Sequence, residues 1–188
     1  MRKIANCLLL LVSSACFAQV NAQTTKVKVT ENKVKVKDKG PAAAAPAASL
    51  YKAEMTDNWV PGNPQYQQMV LMAWKGYEAN QWQGADAMFA ENITATMADG
   101  TVVNGRDNFL NAIKAYRGSF SSVNMSLEAV TSLKSADGKF DVVCIWGTET
   151  DNKADGSTQK EDLHEVWMFN KEGKVMFFKQ YVGQTPKS

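Results

Sequence analysis

The residues with the most chemical capability sit side by side in one apolar segment, Leu163-His164-Glu165-Val166-Trp167. His164 is the only histidine of the chain, and imidazole is the side chain whose ordinary pKa suits proton transfer near neutrality. Glu165 has Leu163 two positions before it and Trp167 two positions after it. In a strand these three share a face, while His164 points to the other face unless a bulge turns it towards Glu165. Glu165 and His164 are therefore the candidates for acid–base work.

Other patterns are excluded on chemical grounds. Asp151-Asn152-Lys153-Ala154-Asp155-Gly156, with Asp162 beyond it, has the outline of a calcium loop, but Lys153 puts a cation where a ligand oxygen is needed. The segment reads instead as a solvated hairpin loop. One histidine among scattered carboxylates is a poor metal set, so no metal is expected. No phosphate loop, dinucleotide fingerprint or serine-nucleophile elbow occurs, and no cofactor is expected. Trp74, Tyr77, Trp146, Trp167 and Phe178 give a heavy aromatic load, which together with one carboxyl is what an apolar ligand pocket requires.

These residues need elements to position them. Asn63-Pro64 opens a helix, with a capping residue followed by proline in the first turn. Met69, Val70, Ala73, Trp74 and Tyr77 then recur at helical spacing to about Asn80. Trp82 to Phe89 reads as a second, shorter helix. Ile93 to Ala98 and Thr101 to Asn104 flank Asp99-Gly100 as a hairpin. Phe109, Leu110, Ile113 and Tyr116 mark a third helix ending near Gly118. Four strands follow. In the first, the alternation of Val123, Met125, Leu127 and Ala129 changes phase at Val130, which predicts a bulge. The next runs from Phe140 to Thr150, the third from Leu163 to Asn170 and the last from Lys174 to Val182. The middle strands are apolar on both parities, with Phe140, Val142, Cys144 and Trp146 against Val143 and Ile145. Both sheet faces must then be covered, one by helices and the other by a partner, most simply in a homodimer.

The order helix, short helix, hairpin, helix and meander resembles the nuclear-transport-factor-2-like superfamily, which includes ketosteroid isomerases and SnoaL-like polyketide cyclases. The resemblance runs from Trp74 to Gly183. It is carried by Phe89-Ala90 closing the second helix, Gly105 before the third, and Phe169-Asn170 with Gly173-Lys174-Val175 at the last hairpin. It implies an α+β fold: a cone-shaped roll in which three N-terminal helices pack on a curved, mostly antiparallel sheet. Ketosteroid isomerases use an aspartate base with a tyrosine and a protonated aspartic acid as oxyanion donors. The resemblance places Glu165 at the protonated acid and Trp167 at an aromatic pocket position. The base position falls on Met97 and the tyrosine position on Ala73, neither of which can do that work. The resemblance thus implies a pocket lined by Trp74, Tyr77, Met97, Trp146, Trp167 and Phe178. Within it, Glu165, with a raised pKa, orients a small, largely apolar ligand without catalysis. Two alternatives stand beside this reading. One is an isomerase, cyclase or hydratase using Glu165 and His164; the other is a dimeric assembly module with a vestigial pocket.

The N-terminus sets the compartment. Arg2 and Lys3 precede a short apolar run around Leu8 to Val12, and small residues follow at Ala18 and Ala22, the pattern of a cleaved secretion signal over residues 1–22. An exported protein, periplasmic or secreted, is expected. Ser14-Ala15-Cys16 offers the rival of lipidation at Cys16. Cleavage after Ala22 would leave Cys144 as a lone thiol within an apolar strand, so no internal disulfide could form. Residues 23–62 read as a basic, Ala/Pro-rich tether, largely disordered, ahead of a domain over 63–188. Membrane contact is expected only through Cys16 or that basic arm. Residues 23–50 carry a net +4 and residues 51–188 a net −4, so the folded part offers no surface for nucleic acid.

Overall fold

The computed structural model describes residues 50–184. The expected signal, Cys16 and the lysine-rich and Ala/Pro-rich parts of the tether lie outside the described residues. Within them the elements run β1 (Trp59–Pro61), α1 (Pro64–Glu78), α2 (Ala85–Met88), β2 (Phe89–Thr96), β3 (Val102–Asn104) and α3 (Arg106–Gly118). There follow β4 (Phe120–Ser135), β5 (Asp141–Lys153), β6 (Thr158–Phe169) and β7 (Val175–Gln184). The fold is α+β, with three helices on a seven-stranded mixed sheet of order β1-β4-β5-β6-β7-β2-β3. All pairings are antiparallel except β2 with β7.

Local chemistry accounts for most boundaries. Asn63 caps α1, its Oδ1 accepting from the Gln65 N–H at 2.9 Å, and Pro64 begins the helix where a missing N–H costs nothing. Asp99-Gly100 closes the β2–β3 hairpin with Gly100 at φ 87°, a conformation open to glycine. The β4–β5 register slips between Leu127 and Ala129, so the bulge lies where the phase change at Val130 predicts it. Beyond it Val130 stands opposite Ile145 and packs on the core.

Three expectations need correction. The stretch Trp82 to Phe89 is helical only over Ala85–Met88; Phe89 is already extended and buried, and its ring packs edge-on against Phe109 at 5.2 Å. Trp59–Pro61, assigned to the tether, is an edge strand on β4. Asp151, assigned to a solvated loop, lies inside β5, which runs on to Lys153 before the chain turns. A short strand such as β1 is hard to see in sequence because only its pairing with β4 stabilises it.

The core lies between the helices and one sheet face. Val143 and Ile145 of β5, Leu163 and Trp167 of β6 and Phe178 of β7 meet Val70 and Trp74 of α1 and Phe109 and Leu110 of α3. On the opposite face Cys144, Trp146, His164, Val166 and Met168 are only partly covered in the single chain.

A cavity with two buried carboxyl sites

Between the helices and the inner sheet face is a cavity of about 1560 Å³. Trp74, Tyr77, Met97, Glu165, Trp167 and Phe178, all expected to line a pocket, do line it. Trp146 does not. Alternation puts Ile145 in the core and so turns Trp146 to the outer face, where it stacks on His164 with ring centroids 4.6 Å apart. His164 in turn stacks on Tyr181 at 5.5 Å. The β5–β6 register runs without a slip from Asp141 to Asn152, so no bulge brings His164 round to Glu165. His164 therefore faces away from Glu165, as alternation predicts, and the two are not brought together as acid and base. Burial pushes the imidazole pKa down, and Nε2 is buried without a hydrogen-bond partner.

Glu165 sits where strand alternation requires, 5 % exposed, with both oxygens engaged. Oε2 accepts from Trp74 Nε1 at 2.7 Å and Trp167 Nε1 at 3.0 Å, and Oε1 accepts from Gln180 Nε2 at 3.2 Å. Burial drives its pKa up, as expected, while the three N–H donors pull it down. Trp74 reaches this carboxyl because Gly147 leaves room on β5: a Cβ there would lie 3.0 Å from the indole ring. Glu165 thus fixes two indoles and an amide of the cavity wall.

A second acid site lies further along β5. Glu149 also lines the cavity, is 5 % exposed, and accepts from the Tyr77 hydroxyl at 2.8 Å. Asp151, on the same strand face and 1 % exposed, stands within hydrogen-bond reach of it, so two buried carboxyls face each other. Burial, then the hydrogen-bonding contact and the charge of Asp151, push the Glu149 pKa up to about 8. Asp151 is raised by burial too, but the contact with Glu149 and the charges of Arg117 and Lys153 oppose the rise. The raised pKa favours the protonated form of Glu149 near neutrality. Tyr77 is held protonated, its pKa pushed well up by burial and by Glu149. Burial and the same acids push Tyr116, at the cavity wall, up to about 12.

Sequence reasoning named Tyr77 but missed Glu149 and Asp151. The signal was there: the inward parity of Val143 and Ile145 continues through Gly147 to both acids. Among the described residues no group of His, Cys, Asp and Glu is arranged to hold a metal ion. No described helix is long and apolar enough to cross a membrane.

No protein-family model matches the chain, and no curated protein matches its sequence. Solved structures do match. An NTF2-like protein from Anabaena variabilis superposes with a TM-score of 0.54 at 17 % identity, covering 66 % of this chain and 92 % of its own. An NTF2-like protein of unknown function from Burkholderia pseudomallei gives 0.52 at 16 %, covering 63 % and 90 %. The chain has the NTF2-like fold. An LEH-like epoxide hydrolase from M. tuberculosis shares it too, with a TM-score of 0.53 at 11 % identity over 64 % of this chain and 84 % of that one. At such identities the NTF2-like fold carries no activity across, and function must be argued from the cavity.

Proposed function

We propose that this NTF2-like domain, with its sheet and helices arranged as a cone-shaped roll, binds a small, largely apolar molecule in its cavity. The observation that carries this reading is the wall: apolar side chains, Trp74, Trp167, Phe178 and Met97 among them, make up most of its surface. Glu165 is saturated by N–H donors, so its part is to hold the wall, while Glu149 and Tyr77 meet the ligand's polar end. Native mass spectrometry of protein purified from its own host should read a chain with a small molecule attached. A bare mass, with no rise in Tm across a panel of apolar ligands, overturns the reading.

A catalytic reading has one observation in its favour: two buried acids, Glu149 and Asp151, beside the Tyr77 hydroxyl. It places acid–base chemistry at Glu149 instead of Glu165 and His164. On that reading Glu149→Gln abolishes turnover without changing the thermal melt.

We further propose export by the N-terminal signal and a homodimer that covers the outer face around Trp146, His164 and Tyr181. N-terminal sequencing should find a mature chain starting near Gln23, and light scattering at micromolar concentration should give twice the chain mass. A monomer would contradict the second proposal.

A further inference from the structure

We infer that the cavity's ligand is an organic cation: an apolar body carrying an ammonium group that docks on Glu149. The inference rests on the ligand-binding reading above and names the class of molecule. Its first support is charge. Among the described residues the acids bordering the cavity are Glu78, Asp99, Glu149, Glu161 and Glu165, against the single cation Lys75, which is mostly exposed and tied to Glu78.

The second support is what surrounds Glu149. Its direct cross-strand partner on β6 is another acid, Glu161, and like charges placed opposite each other repel. On β4 its partner is Met125, and Val123 stands opposite Asp151. From α1 it receives only the Tyr77 phenol, and from α3 come Tyr116 and Arg117. Arg117 is buried but committed elsewhere: Nε donates to the Tyr77 carbonyl at 2.9 Å, Nη1 to Phe120 O at 3.1 Å and Nη2 to Glu78 O at 3.0 Å. Gln159, opposite Asp151, donates to Glu161. Lys153 acts on Asp151. Among the described residues, no neighbouring side chain therefore brings a cation to Glu149.

Two further observations point to a missing positive group. Asp151 Oδ1, on the same strand face as Glu149, is buried with no hydrogen-bond partner among the described residues. Aromatic rings also stand at this end: Tyr77, Tyr116 and Trp82 line the cavity, and Trp82 already carries the Lys114 ammonium 5.9 Å from its ring centre. Ring faces attract ammonium groups. An arriving ammonium supplies the counter-charge that the Glu149 proton now provides, so Glu149 ionises and its proton passes to solvent. Binding then takes up one cation and releases one proton.

Calorimetry on the full-length chain at pH 7 tests this with three probes of equal chain length: decylammonium, decanol and decanoate. Titration in phosphate and in Tris buffer, whose ionisation enthalpies differ, counts the protons. The expected result is one-to-one binding of decylammonium, roughly tenfold or more tighter than either other probe, with release of close to one proton. Glu149→Gln, which keeps the acceptor for Tyr77, should lose both the preference and the proton release while still binding decanol. Decanol or decanoate binding as tightly as decylammonium, or cation binding without proton release, overturns the inference and leaves the ligand pocket standing. Binding of none of the three overturns both.

Discussion

Two carboxyls sit equally deep in this cavity and are held in opposite ways. Glu165 accepts hydrogen bonds from Trp74, Trp167 and Gln180, so its burial is compensated by donors from α1, β6 and β7. Glu149 has the Tyr77 hydroxyl and a second acid. The first carboxyl organises the wall; the second keeps a proton for want of a positive partner. Burial alone does not mark a group that needs a ligand. What marks it is how much of its charge the protein leaves unanswered.

Removing each carboxyl in turn should separate them most sharply. Glu165→Ala strands two indole N–H groups and an amide in the core and should cost on the order of 4 kcal/mol in urea unfolding. Glu149→Ala removes the cost of keeping a buried carboxyl protonated at neutral pH as it loses contacts, and should cost only about 1 kcal/mol. Equal losses would erase the distinction.

The pH dependence comes next. Glu149 titrates at about 8 when folded against an ordinary 4.5, so between those values the native state holds a proton that the unfolded chain has released. Its contribution to stability therefore falls as pH rises from 4.5 to about 8. Glu149→Gln, permanently neutral and still able to donate to Asp151, should remove that fall. The variant should gain on the order of 2 kcal/mol over the parent between about pH 5 and pH 9. A parallel pH profile for variant and parent would mean that Glu149 is ionised throughout.

Gly147 links the two sites, since Trp74 lies over it on the way to Glu165. Gly147→Ala sets a methyl into the Ser126 carbonyl oxygen and 3.0 Å from the indole. It should cost about 2 kcal/mol and shift the tryptophan emission as Trp74 leaves its acceptor. Tyr77→Phe should have the smallest effect, about 1 kcal/mol. It removes a donor that favours ionised Glu149, so it should move the pH transition of stability upward.

Much of the fold was legible because periodicity and punctuation agreed: Asn63-Pro64 opened α1, Asp99-Gly100 turned the hairpin, and the slip at Val130 gave the bulge. The site was legible only in part. Trp74, Tyr77 and Glu165 follow from helix and strand spacing, but the expectation for Trp146 ignored the parity that Ile145 sets. Glu149 and Asp151 were hidden by their type, since acids near a predicted turn look solvated. Only the length of β5 and the cover provided by α1 and α3 put them inside. Arg117 was hidden likewise, because its role in closing the carbonyls at the end of α1 depends on where two distant helices meet.

Carboxyl-carbon NMR of Glu149 across pH 4 to 10 in the unliganded protein is the most direct test. The account predicts that Glu149 stays protonated through neutrality and loses its proton near pH 8. A Glu149 that titrates at the ordinary carboxyl value of 4.5 would contradict it.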